Sequence, residues 1–318
     1  MQLQKRIKQK QTKMLDLSIV IINYNTSDYT IKCIESIFEH TSNELTYNIK
    51  IVDNHSNNED VNKLYNYIKK INNPKITFLK NHINVGFGGG NMIGSQFSDA
   101  TYYAFINNDS LLLNDCFTII INQMKQNEEF GICGPQSYKE DGKLLPTLDH
   151  YSSPLKELFG RYFLESINAE KYPNRKIEYK EPKRGQFVSG SFMVVKAEYF
   201  WSVGGFDTNI FLYHEETDLC IRLAKIKKYA YLIPDAKFIH FHGASTPKNI
   251  EIKTELKISL LYVIRKHYGY INYRLILLFL QIKYFIKSIR KPKYWYLFKI
   301  LFRGGRLTDS MKHKQNYK

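Results

Sequence analysis

Between residues 17 and 109 the chain repeats one pattern: four apolar runs rich in β-branched side chains, each leading into a cluster of small polar residues, with a stretch of helical spacing after each of the first three. Residues 17–25 read Leu-Ser-Ile-Val-Ile-Ile-Asn-Tyr-Asn, a near-continuous apolar run of the kind a strand covered on both faces needs, ending in polar side chains. Ile31, Ile34, Ile37 and Phe38 then mark the buried face of a helix that Ser27 or Asp28 can cap. Residues 49–53 close the second run on Asp53 and the loop Asn54-His-Ser-Asn-Asn58, with Val61, Leu64, Tyr65 and Ile68 at helical spacing beyond it. The third run, 76–79, leads into Asn84-Val-Gly-Phe-Gly-Gly-Gly-Asn91 and a helix through Phe97; the fourth, 102–106, ends in Asn107-Asn108-Asp109. Such alternation restricts the chain to the α/β class, with a doubly wound sheet whose ligand crevice lies at the carboxyl ends of the strands. Every polar cluster falls on that edge.

From about residue 130 the pattern changes to short strands and loops, and residues 145–183, punctuated by Pro146, Pro154, Pro173 and Pro182, read as an irregular segment. Residues 187–195 return to strand character, and 198–203 read as a short helix ended by Gly204-Gly205. Cys33, Cys116, Cys133 and Cys220 lie far apart without a C-x-x-C pair, so neither a zinc site nor a disulfide framework is expected. No secretory signal is read in the polar, basic start of the chain, which places the expected chemistry in the cytoplasm.

The formal charge of +16 is confined to the ends. Residues 251–318 hold 16 Lys/Arg against 3 Asp/Glu and residues 1–13 hold 5 against none, leaving 25 basic and 27 acidic residues in the body. A near-neutral body argues against a nucleic-acid partner. Residues 256–267 and 273–289 have helical patterns in which Leu, Ile, Phe and Tyr interleave with Lys and Arg. Their longest uncharged apolar stretch, 275–282, is eight residues, where a spanning helix needs about 20. The tail is therefore expected to lie on an anionic membrane surface, the alternatives being that it packs on the body or forms a homodimer.

Five sets of residues carry chemistry. Glu215, Glu216 and Asp218 open an amphipathic helix whose dipole favours negative charge there, as acid/base groups or as a well-capped helix start. Asp53 can accept from a base or ribose, or close a turn. Gly86, Gly88, Gly89 and Gly90 allow close approach of phosphate to a helix start, although their spacing is not that of a full dinucleotide or Walker motif. Asn107-Asn108-Asp109 offers a carboxylate to a hard divalent cation, or an Asx turn. His240 and His242 could add an imidazole.

Taken in order, Ile-Val-Ile-Ile-Asn-Tyr-Asn, Val-Asp-Asn-His-Ser, Asn-Val-Gly-Phe-Gly-Gly-Gly-Asn, Asn-Asn-Asp, Gly-Gly-Phe-Asp207, Glu-Glu-Thr-Asp-Leu and His-x-x-Gly-x-Ser resemble family 2 glycosyltransferases of the GT-A fold, closest to the bacterial rhamnosyltransferase-like branch, over residues 15–250. The resemblance implies a Rossmann-like mixed sheet with flanking helices, preceded by a basic tail at 1–14 and followed by the basic amphipathic helical region 251–318. It implies that Asn25 and Asp53 hold the nucleobase, that Asn84, Gly86, Gly89, Asn107 and Asn108 line the nucleotide-sugar site, and that Asp109 and His240 bind Mn²⁺ or Mg²⁺. Glu216 takes the place of the catalytic base, with Glu215 as the alternative, and Asp218 that of an acceptor contact. The implied reaction is inverting transfer from a UDP- or dTDP-linked sugar to a hydroxyl of a glycan or polyprenyl-linked oligosaccharide in bacterial surface polysaccharide synthesis, at the inner face of the membrane. A nucleotidyltransferase or a noncatalytic nucleotide- or sugar-binding relative would share the crevice, but the former would carry a basic glycine-rich signature that Ile22-Asn-Tyr-Asn-Thr-Ser lacks.

Overall fold

The structure, a computed structural model, describes residues 14–241 and 249–315; His242 and the basic residues 1–13 lie outside the described residues. The four expected strands are β1 (Leu15–Asn23), β2 (Tyr47–Asp53), β3 (Ile76–Lys80) and β4 (Ala100–Asn107), separated by α1 (Ser27–His40), α2 (Asn58–Ile71) and α3 (Gly86–Gln96). They pair in parallel, with Asn23 beside Asp53 and Ile22 beside Asn107, so the polar ends of β1, β2 and β4 finish level. Past Asp109 come β5 (Ser110–Leu112), α4 (Cys116–Gln126) and β6 (Phe130–Tyr138), then the short strands β7 (Leu144–Leu145) and β8 (Leu148–Asp149). The segment read as irregular contains α5 (Pro154–Phe159) and α6 (Arg161–Ile167), and is held by Asp149, whose carboxylate pairs with Lys156, Arg161 and Arg175.

The run 187–195, expected as one strand, is two: after β9 (Lys183–Gly185), a turn at 189–191 separates β10 (Phe187–Val188) from β11 (Phe192–Lys196). There follow α7 (Ala197–Ser202), α8 (Glu215–Lys225) and β12 (Tyr229–His240). The sheet order is β3-β2-β1-β4-β11-β6-β12-β5, with β7 beside β6 and β9 beside β12. It is mixed because β11 runs antiparallel to both β4 and β6, while β12 runs parallel to β6. The short strands expected beyond residue 130 are outnumbered in length by β6 and β12, and β12 ends with His240 opposite Ser110.

Alternation along β1 feeds two apolar layers. Leu17, Ile19 and Ile21 pack with Ile34 and Phe117 on one face, whereas Val20 joins Phe105, Phe200 and Phe206 on the other. All four cysteines are free and buried.

The chain closes with α9 (Ile250–Arg290), broken at Gly269 (φ 85°), and α10 (Tyr294–Phe302). These helices bury a core of their own around Leu261, Ile264, Leu280 and Leu297. The first half of α9 is docked on α8 through Asp218. That carboxylate is wholly buried and receives Arg222 at 2.6 Å, Lys266 at 2.6 Å and His267 at 2.7 Å. Burial alone would disfavour its charged form, but His267, Arg222 and Lys266 outweigh that and hold it well below the usual carboxylate range. The tail thus uses one face to pack on the body, which the sequence reading gave only as an alternative.

Removing Asp218 strands buried cationic partners. Asp218→Ala is expected to lower the free energy of unfolding by about 3 kcal/mol, the lower end for a broken buried pair because Lys266 keeps some solvent contact. In the wild-type protein this contribution is present above the ordinary Asp pKa of about 3.9 and is lost as pH falls toward the depressed folded value. Urea denaturation of both proteins at neutral and acid pH measures it; equal midpoints at neutral pH would remove Asp218 from this role.

Candidate active site

The floor of the crevice is a lattice of side-chain amides and carboxylates in which the strand-end loops satisfy one another. Asn23 donates to Asp53, to Ser56 and to Asp60 at 2.7 Å, while its own Oδ1 accepts from Thr30. Asp53 is fully buried, its other oxygen accepting from the Ser56 N–H, so its carboxylate has the turn-closing role rather than an open face toward a base. Asn25, exposed and left-handed at φ 55°, accepts from the backbone and side chain of Asn57. Asn54 ties this loop to the next: it donates to Asn84 Oδ1 and the Gly86 carbonyl and accepts from Asn81 and the Val85 N–H. Asn84 is clasped from the far end of the chain, its N–H donating to Gln315 Oε1 at 2.9 Å and its carbonyl accepting from the same carboxamide.

The glycines do different work from that expected. A Cβ at Gly86 (φ 77°) would sit 2.0 Å from the Phe211 carbonyl oxygen, and Phe87 N–H donates to that same oxygen. At Gly89 a Cβ would meet Val85, at Gly90 Ile22 and at Gly94 Val20. Gly86 and Gly89 are buried packing positions, not a phosphate cradle, because the run lets α3 lie against β1 and the loop that precedes α8.

After β4, the three residues Asn107, Asn108 and Asp109 part company. Asn108 is buried and donates to Thr26 and Thr30, so it pins the loop after β1 instead of facing a nucleotide sugar. Asn107 is part-exposed, its side chain without a hydrogen bond among the described residues, while its N–H donates to the Ser191 carbonyl. Asp109 is buried, and His240 Nε2 lies 3.2 Å from its Oδ1. That approach is close without being a hydrogen bond, since Oδ1 has no donor. An unsatisfied carboxylate oxygen facing an imidazole nitrogen is a donor pair that a hard divalent cation accepts when substrate phosphates complete its shell. No cluster of three or more His, Cys, Asp or Glu with metal-site geometry occurs among the described residues. Beside His240 an open space of about 570 Å³ is lined by Lys139, Glu140, Asp141 and Phe241.

The carboxylates of α8 point to separate surroundings. Two consecutive non-glycine residues, Tyr213 (φ 71°) and His214 (φ 70°), adopt the left-handed conformation just before the helix, a costly arrangement that persists only where its surroundings enforce it. His214 is held by Ser152 Oγ at 2.6 Å and the Leu256 carbonyl at 3.2 Å. Glu216 reaches the turn between β10 and β11, where Gly190 N–H donates to its Oε1 at 3.1 Å. Glu215 is almost fully buried, with Oε1 unpartnered and its stem near Gly88. Burial raises both carboxyls, and Glu215 is pushed well above the usual range, with Glu216 adding to the effect. Asp218 points away to α9, fully engaged in the ion pairs described above, and offers no free face to an acceptor.

Asn107 and Glu216 thus both contact the turn at 189–191, and Asp109, two residues beyond Asn107, lies against His240. Sequence reasoning missed Gly190, whose turn was hidden inside an apparent strand, and Asn54 and Gln315; Asn54 stood within a polar loop already marked, whereas no local signal links residue 315 to residue 84.

The sequence model of the family described as Glycosyl transferase family 2 matches residues 18–204. The Escherichia coli (strain K12) protein named rhamnosyltransferase WbbL is 24% identical over 259 residues, covering 78% of this chain and 92% of its own length. A Mycobacterium tuberculosis protein named N-acetylglucosaminyl-diphospho-decaprenol L-rhamnosyltransferase is 28% identical over 37% of this chain and 40% of its own. Among solved structures, GalNAc-T7 with UDP, GalNAc and Mn²⁺ superposes with a TM-score of 0.62 at 15% identity, covering 92% of this chain and 56% of that one. The mannosyltransferase PcManGT from Pyrobaculum calidifontis, in complex with GDP-Man and Mn²⁺, gives 0.55 at 12% identity, covering 94% and 88%. The structural likenesses establish the fold as GT-A, and the sequence match sets the nucleotidyltransferase alternative aside. The chain belongs to glycosyl transferase family 2 and is a nucleotide-sugar glycosyltransferase.

Proposed function

We propose that the protein moves a sugar, with inversion, from a UDP- or dTDP-linked donor to a hydroxyl of a polyprenyl-linked glycan during synthesis of a bacterial surface polysaccharide. The observations that support this reading are the approach of His240 to Asp109 and the contact of Glu216 with the Gly190 N–H, in the turn whose Ser191 carbonyl accepts from the Asn107 N–H at the end of β4. The names of the two rhamnosyltransferases favour rhamnose as the sugar, and the mycobacterial name favours a diphospho-polyprenol acceptor. Asn25 and the loop 54–57 would receive the nucleobase, with Asp53 shaping that loop from behind, and the free Asn107 side chain would contact the ribose or diphosphate. Asp109 and His240 would hold Mn²⁺ or Mg²⁺, whose chemistry is to offset the charge that builds on the departing diphosphate.

In this account Glu216, not Glu215, is the base. Its carboxylate takes the acceptor proton as the acceptor oxygen bonds to the anomeric carbon and the bond from that carbon to the diphosphate oxygen breaks on the opposite face. Glu215 is sealed between α3 and α9 and has no path to a hydroxyl. We assign Asp218 to positioning α8 against α9, and we treat residues 15–250 as the transfer unit and 251–318 as a unit that brings it to the inner face of the membrane.

Glu216→Gln is expected to lower kcat by about 10²- to 10⁴-fold, the span a positioned base contributes, with donor KM changed little; nucleotide release from a panel of UDP- and dTDP-sugars measures it. Because burial raises the Glu216 carboxyl, the acid limb of kcat/KM should fall at a pH above the ordinary Glu value of about 4.3. Retention of wild-type kcat in Glu216→Gln would move the base elsewhere. A Cβ at Gly190 would lie 2.4 Å from Glu216 Oε1, and that oxygen, at the end of a flexible side chain, can swing away. Gly190→Ala is therefore expected to fold normally but to lose at least about tenfold in kcat, by displacing the base from its productive geometry; an unaltered kcat with an intact fold would show that this contact does not place the base.

A further inference from the structure

The second half of α9 carries two opposite faces. Ile276, Leu280, Tyr284 and Ser288, four residues apart, are buried against the rest of the C-terminal unit. On the other side Ile271, Leu275, Leu278, Ile282, Phe285 and Ile289, spaced alternately by four and three, form a continuous apolar stripe whose members are 43% to 84% exposed. The stripe widens where Phe285 packs against Trp295 and Phe298 of α10, with Phe302 (74% exposed) at its end. A soluble surface helix normally presents the reverse, a polar outer face, and a contiguous apolar patch of this extent marks an interaction surface.

Charge selects the occupant. From residue 256 to residue 308 there are twelve Lys/Arg and no Asp/Glu, and Arg274, Lys283 and Arg290 are exposed beside the stripe. At the head of the stripe, beside the break at Gly269, Arg265, Lys266 and Arg306 line a cleft of about 600 Å³ with Tyr262 and Tyr273. Among the described residues neither Arg265 nor Arg306 is paired with a carboxylate. A two-fold dimer through this face would set the same cationic surface against itself, whereas an anionic bilayer satisfies both features, taking the apolar stripe into the headgroup boundary and attracting the cations around it. No helix among the described residues is long and apolar enough to cross a membrane, so the contact is one of lying on the surface.

We propose that the outer face of the second half of α9, continued by α10, docks the protein flat on an anionic phospholipid surface. As the route to a lipid-linked acceptor this rests on the transfer reading above, though the surface stands on its own chemistry. Because α9 is ion-paired to α8 through Asp218, docking would also fix the orientation of the helix that carries Glu216.

Co-sedimentation of the full chain with phosphatidylglycerol or phosphatidylcholine vesicles tests the proposal, comparing wild type with the double variant Leu278→Glu/Ile282→Glu. Both positions are solvent-facing, so the variant should keep its melting temperature. The expected result is at least tenfold preference of the wild type for phosphatidylglycerol, weakened by salt, and at least tenfold loss in the variant. Equal sedimentation of variant and wild type would overturn it, as would a wild type that ignores both vesicles or one that forms a dimer the variant separates. Nucleotide release in vesicle-free solution, expected to be equal for the two proteins, reports on the transfer reading separately.

Discussion

The requirement that buried polar groups be hydrogen-bonded organises this molecule more than any single apolar contact. Its central strands are apolar almost to their last residue and then end in Asn23, Asp53 and Asn107, level with one another at one edge of the sheet. An amide or carboxylate there, shielded from water, costs free energy unless it finds a partner. The loops meet the demand mutually: Asn23 with Asp53, Ser56 and Asp60, Asn54 with the segment 81–86, and Asn108 with Thr26 and Thr30. The resulting lattice is rigid where it is satisfied. At the same edge the Asn107 side chain and the Asp109 Oδ1 atom are not drawn into it among the described residues.

A second constraint acts on the opposite wall. Glu215 and Glu216 are neighbours in sequence, yet the helical turn between them sends one toward α3 and α9 and the other toward Gly190. Burial raises both, but Glu216 keeps partial exposure where Glu215 has almost none, so two identical side chains stand in different surroundings. Asp218, next on the same helix, is committed to Arg222, Lys266 and His267. Three acidic residues that look alike in sequence thus have three different sets of neighbours. The turn at Tyr213 and His214, held from Ser152 and the Leu256 carbonyl, fixes the angle at which the helix presents them.

Much of this was legible in the chain itself. Apolar runs ending in polar residues gave the parallel strands and the edge that carries the site, because both signals are local and repeat. Asp109, His240 and Glu216 were legible as residue types suited to a metal and to a base. The glycines of 86–90 misled, since close helix–strand packing and phosphate approach demand the same absence of a Cβ, and only the neighbours at Phe211, Ile22 and Val85 distinguish them. Asn108 and Asp53 misled for a related reason: a side chain suited to a ligand is equally suited to a neighbouring loop. The clasp of Gln315 on Asn84 and the pairing of His267 with Asp218 join distant stretches of chain and leave no local periodicity to read.

The central claim is that Asp109 and His240 form the protein half of a cation site that a nucleoside diphosphate completes. Manganese binding followed by electron paramagnetic resonance, with and without UDP or dTDP, addresses it without relying on turnover. The account predicts binding that strengthens when the diphosphate is present and falls at least tenfold in Asp109→Asn. Equal binding by wild type and Asp109→Asn in the presence of the diphosphate would contradict it.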